Sequence, residues 1–118
     1  MYPPPINIIR QLEQGVVECV TYGKYTIHIG FESGDNLSIL GPFRFGPADR
    51  LADARINEFP LADSILIRIL GCSVTETVCD EDGTLSLRFS NEDWLIVYAN
   101  DPMYEAYTLL IRGNEYVV

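Results

Sequence analysis

The chain has 118 residues, 47% of them apolar and 21% charged, a balance that excludes a disordered chain and favours one domain around one core. Its 8 basic and 17 acidic residues leave a formal charge of −9, which repels nucleic-acid phosphate and anionic lipid heads and attracts a basic protein. No apolar run reaches the roughly 18 residues of a membrane span.

The opening "MYPPPINIIRQLEQG" lacks the basic start, apolar stretch and small-residue cleavage site of a secretory signal, which points to the cytoplasm. Gly15–Tyr22, Tyr25–Phe31 and Asn36–Leu40 then read as three strands joined at Gly23 and at Ser33-Gly34-Asp35. In the middle strand Ile27, Ile29 and Phe31 share one face, while Thr26, His28 and Gly30 share the other. Residues 46–70 look partly helical. Pro47–Ile56 suits a short helix with Pro at its first position. Asp63–Gly71 suits one or two helical turns capped by Asp63 or Ser64, though Ile65, Ile67 and Ile69 also permit a strand.

A second meander follows: Cys72–Cys79, Thr84–Phe89 and Trp94–Tyr98, with Asp82-Gly83 as a hairpin signal. It repeats the first. "TIHIGFESGDNLSIL" (Thr26–Leu40) aligns with "TLSLRFSNEDWLIVY" (Thr84–Tyr98) at an offset of 58, with Thr, Phe, Asp and Leu identical at four positions. Gly15 aligns with Gly71 at an offset of 56, which places two extra residues in the turn "CDEDG". Asn100-Asp101-Pro102 marks a turn, and residues 104–118 read as a C-terminal hairpin around Gly113-Asn114. The expected fold is mainly β, with α+β as a variant, in one domain spanning 1–118. The repeat covers about 15–40 and 71–98, and its two meanders pack as a sandwich or a small barrel.

Chemistry is sparse. The three cysteines form no C-x-x-C pair, and the one histidine, His28, cannot complete a zinc site or serve a nucleophile without a positioned partner. "DEDG" opens like a calcium loop, but Thr84–Phe89 supplies none of the spaced ligands. "GPFRFGP" lacks the Lys-Ser/Thr of a phosphate loop. No catalytic residue, metal or cofactor is therefore assigned. The acids instead concentrate in the second half. Residues 1–62 hold 7 acids and 5 bases, a net of −2; residues 63–118 hold 10 acids and 3 bases, a net of −7. In "DWLIVY" both faces are apolar, with Leu95 and Val97 on one and Trp94, Ile96 and Tyr98 on the other. Such a strand is either covered by its own chain or presented to a partner.

"ILGCSVTETVCDEDGTLSLRFSNEDWLIVYANDPMYEAYTL" (Ile69–Leu109) resembles a family of small bacterial β-rich domains. The pattern is Leu70-Gly71, Asp82-Gly83, the T-L-x-L-x-F run Thr84–Phe89, the L-x-V strand Leu95-Ile96-Val97, and Pro102-Met103-Tyr104-Glu105-Ala106-Tyr107. Two departures are "SNED" in place of a Gly-bearing turn and Tyr107 in place of Trp. The family includes immunity proteins of contact-dependent growth inhibition and related toxin systems. The resemblance implies a cytoplasmic, non-enzymatic protein that binds and blocks a cognate toxin domain, a basic nuclease. It implies no catalytic residues. The expected partner-binding residues are Glu76, Asp80, Glu81, Asp82, Glu92, Asp93, Trp94, Tyr104 and Glu105. The alternative expectation is a small-molecule-binding β-barrel.

Overall fold

A computed structural model describes residues 4–54, 56–59, 66–99 and 105–118. One short helix, α1 (Ile6–Ile9), runs into a 3₁₀ turn at Arg10–Leu12. The strands are β1 (Val17–Tyr22), β2 (Ile27–Phe31), β3 (Asn36–Ile39), β4 (Phe43–Pro47), β5 (Ile56–Asn57), β6 (Val74–Cys79), β7 (Leu85–Phe89), β8 (Asp93–Val97), β9 (Tyr107–Ile111) and β10 (Asn114–Val117). They form two five-stranded antiparallel sheets, ordered β1-β2-β3-β9-β10 and β5-β4-β8-β7-β6. No helix among the described residues is long and apolar enough to cross a membrane.

The alternating sequence explains the layering. Ile27, Ile29 and Phe31 in one sheet and Leu85, Leu87 and Phe89 in the other are each at most 2% exposed and belong to one contiguous apolar core. Removing side chains of this size from water stabilises by roughly 1.5–3 kcal/mol each. Ile9, Leu12, Leu66 and Ile69, from the helical turns, join the same core. The architecture is a sandwich. The barrel variant is set aside because β5 and β10 each pair on one side only, so neither sheet closes. The α+β variant is set aside because the described helical elements are no more than about two turns long.

Each sheet borrows its last two strands. The hairpin β4–β5 follows the first meander but pairs with β8, in the second sheet. The hairpin β9–β10 follows the second meander but pairs with β3, in the first. Phe43 opposite Val97 therefore corresponds to Tyr107 opposite Ile39. The halves meet at the isolated bridge Val16–Ser73. There Val17 N–H donates to Cys72 O and Val74 N–H to Gly15 O, both at 2.9 Å. Gln14 N–H donates to Val74 O as Gly71 N–H does to Val17 O. This reciprocal set aligns the halves at an offset of 57. Gly71 (φ 79°) thus matches Gln14 (φ 72°), and Gly15 matches Cys72. The offset of 56 and the two-residue insertion are corrected: β1–β2 leaves residues 23–26 between paired ends and β6–β7 leaves 80–84, one residue more. Both meanders carry a register shift at the same place, Val17/Cys19 and Val74/Glu76.

The connecting segment differs from expectation in three ways. Phe43 and Phe45 alternate inward and make β4 a strand, in a stretch to which the sequence assigned no element. Pro47 ends that strand in extended geometry, so the following 3₁₀ helix is Ala48–Asp53 and Ile56 starts β5. The helical reading of Asp63–Gly71 survives at Leu66–Ile69, a 3₁₀ turn; residues 60–65, with the proposed caps Asp63 and Ser64, lie outside the described residues.

Tyr107 ties the acidic β6–β7 turn to the opposite sheet. Its buried hydroxyl donates to Gly83 O at 2.6 Å. Burial, then the neighbouring Cys79 thiol and the Asp82 carboxylate, push its pKa well above the ordinary tyrosine value. Tyr107→Phe should cost about 1–2 kcal/mol at pH 8, since it leaves Gly83 O without its donor. A phenol with a raised folded pKa contributes fully below the unfolded value, about 10, and loses that contribution as pH rises above it. Urea unfolding at pH 8 and pH 11 should show the gap between wild type and variant narrowing at the higher pH; a gap that widens contradicts this role.

Candidate protein-binding face

Antiparallel register lays the outward side chains of each sheet in rows, and the correspondence between halves lets one outer face serve as a control for the other. On the second sheet one row runs Glu76, Arg88, Trp94, Gly46 across β6, β7, β8 and β4. The matching row of the first sheet runs Cys19, Gly30, Asn36, Leu110. The same scaffold therefore carries large charged and aromatic groups on one side and small or neutral ones on the other. The fold does not require the former.

Arg88 organises the second face. Its guanidinium lies 6.0 Å from the centre of the Trp94 ring, a cation–π distance. It faces Glu76 at 3.8 Å and forms an ion pair with Glu92. Glu92 occupies the turn position that Gly34 holds in the first half. Both are left-handed, with φ of 72° and 92°. A non-glycine residue there is strained by roughly 1–2 kcal/mol because its Cβ crowds the following carbonyl. The chain carries that strain where its own first half avoids it, and the side chain so placed is the one that holds Arg88.

The acidic turn lies at one end of this sheet, between β6 and β7. Asp80, Glu81 and Asp82 are all exposed. Asp82 Oδ1 accepts from Thr84 N–H at 2.9 Å, and Gly83 N–H donates to Asp80 O at 2.9 Å. The turn is thus fixed by its backbone and by Asp82, while Asp80 and Glu81 make no side-chain bond among the described residues. Beside it the Cys79 thiol is pushed up in pKa, chiefly by burial, against a lowering hydrogen bond with Tyr107. All three cysteines are free. Among the described residues no group of three or more His, Cys, Asp or Glu is placed to hold a metal ion.

The residues singled out in the sequence divide. Glu76, Arg88's partner Glu92, and half-buried Trp94 come together, with Asp80, Glu81 and Asp82 in the adjoining turn. Asp93 does not join them, and its assignment to the partner-binding set is corrected. It shares the inward parity of Leu95 and Val97, is 1% exposed, and accepts from Asn91 Nδ2 at 2.9 Å and from Arg68 Nη2 at 3.4 Å. Glu105 is exposed just before β9, and Tyr104 lies outside the described residues. The sequence reading missed Arg44, Ile56 and Val78, which share this outer face. The Phe43/Phe45 alternation was the signal that would have placed Arg44 outward.

The first sheet's outer face is quieter. His28 Nδ1 lies 2.7 Å from Ser38 Oγ, which in turn donates to Asn36 Oδ1 at 3.4 Å. With Thr108, Leu110 and Glu115 these residues line a shallow, open depression of about 340 Å³.

The profile of a family of unknown function, DUF6188, matches residues 8–118. No curated protein and no solved structure matches the chain.

Two glycine-swap variants test whether Glu92 is held there at a cost. Glu92→Gly should leave the free protein at least as stable, by up to about 1 kcal/mol, because relief of the left-handed strain exceeds a surface ion pair worth roughly 0–1 kcal/mol. Gly34→Ala, at the matching site, should destabilise by about 1 kcal/mol. Chemical denaturation decides; a clear loss of stability in Glu92→Gly means the residue serves the fold.

Proposed function

The chain belongs to the family of unknown function DUF6188, and from that starting point we propose that it is an immunity protein that binds and blocks a basic toxin domain through the outer face of its second sheet. The observation that carries this reading is the inequality of the two outer faces. Positions filled by Cys19, Gly30, Gly34 and Asn36 in one half are filled by Glu76, Arg88, Glu92 and Trp94 in the other, beside a turn with three exposed acids. Nothing in the scaffold asks for that difference. Partner recognition does.

The physical roles divide between rim and centre. Asp80, Glu81, Asp82 and Glu76 are solvated charges at the edge, suited to steering a basic partner and speeding encounter. Trp94, stiffened by Arg88 above its ring, offers the kind of aromatic anchor that dominates binding energy once water is excluded. Blocking a toxin this way uses surface complementarity alone and needs no cofactor or catalytic group. The partner is the toxin protein and not nucleic acid, and the compartment is the cytoplasm where such a toxin would act. The alternative of a ligand enclosed in a barrel is not carried forward, since the sheets stay open and their inner faces pack into one apolar core.

The test is to express the protein encoded by the gene adjoining this chain's own as the candidate toxin domain and to measure its binding by calorimetry. Asp80→Lys, Glu81→Lys and Asp82→Lys together should weaken affinity by about tenfold or more at low salt, and by much less at high salt. Because Asp82 also holds the turn, Glu76→Lys with Glu81→Lys serves as the second variant. Unchanged affinity in both removes this face from the interface.

A further inference from the structure

The outer face that carries the acidic turn at one edge also carries a cation with no counter-charge among the described residues. Arg44, on β4, lies between Ile96 and Ile56 in the row Val78, Ser86, Ile96, Arg44, Ile56. It is half-buried, and its Nε is shielded from solvent without a hydrogen-bond partner. No carboxylate of the described residues pairs with it, in a chain that has 17 acids. The second such atom, Arg88 Nε, is on the same face, one strand beyond β8. The corresponding position on the first sheet is Thr108, so the scaffold tolerates a small neutral group there. The surroundings are apolar: Ile56 is 48% exposed and Val78 39%, and Ile96 and Trp94 are half-buried. Exposed Glu58, Glu76 and Asp80 lie around them rather than among them.

An arginine donor shielded from water and left unpaired is destabilising, and among the described residues no acid pairs with it although the chain is rich in acids. We propose that the partner supplies the missing carboxylate: Arg44 receives an Asp or Glu of the toxin domain at the desolvated centre of the interface, while the acidic rim meets basic residues around it. This rests on the immunity reading and adds the partner's charge layout, a carboxylate set inside a basic surround. A toxin cleft that binds nucleic acid with basic residues and a divalent metal with acids has that layout. The guanidinium fits the role better than an ammonium would, because its planar fork takes a carboxylate with two parallel hydrogen bonds.

The experiment uses the full chain and the candidate toxin domain from the adjoining gene, with Arg44→Leu and Arg44→Lys compared with the triple turn reversal. Arg44→Leu should leave the melting temperature of the free protein unchanged or raised, and weaken binding by about 30-fold or more. That loss should persist at about 500 mM salt, where the effect of the turn reversal fades. Arg44→Lys should fall between wild type and Arg44→Leu. Wild-type affinity in Arg44→Leu, or a loss accompanied by a fall in melting temperature, overturns the inference while a salt-sensitive turn reversal leaves the immunity reading standing. If the wild-type chain does not bind the toxin domain, both fall.

Discussion

Burial of two matched apolar faces is the constraint on which the rest depends. Ile27, Ile29 and Phe31 need a partner surface, and Leu85, Leu87 and Phe89 are that surface. A three-stranded meander with one apolar face leaves that face in water until another surface covers it, and here each half covers the other. The exchange of hairpins β4–β5 and β9–β10 extends the same dependence to the backbone. Each half completes the other's sheet through the β3–β9 and β4–β8 ladders. The reciprocal bonds around Val16 and Ser73 fix the halves at the point where their correspondence is closest.

Once the inward faces are committed to the core, the outward faces are free to diverge. That freedom is used unequally. On β1–β3 the first sheet keeps Cys19, Gly30 and Asn36 where the second has charged and aromatic groups, with His28, Ser38 and Asn36 bonded among themselves. The second gathers Arg88, Trp94, Glu76 and Glu92, and accepts a left-handed Glu92 to do so. Internal duplication thus offers a comparison within one molecule. What both halves share, such as the inward residues and the buried Asp35 and Asp93 at matching turns, belongs to the scaffold. What only one half carries is a candidate for function. Asp93 shows why the distinction matters, since charge alone placed it with the exposed acids and parity places it in the core.

Strand alternation fixed the inward residues before any coordinate was known, because a period of two specifies which side chains share a face. The Asp82-Gly83 turn and the C-terminal hairpin were equally local and equally legible. Net charge and its crowding into residues 63–118 were also plain. What the pattern does not specify is which strand lies beside which. Alternation assigns a face and leaves the neighbour open, so the crossing of β4 to β8 and of β9 to β3 was invisible. β4 itself was hidden by Gly41-Pro42 and Gly46-Pro47, whose turn character outweighed the two phenylalanines between them. Only the assembled sheets set Arg44 beside Ile96 and Ile56 with no acid paired to it among the described residues, because that neighbourhood joins β4 and β5 to β8 from the other half of the chain. The sequence by itself determined the two apolar faces and the sign of the charge. The tertiary structure decided which charges stand together, since lateral strand order is set by packing and hydrogen bonding across the whole sandwich.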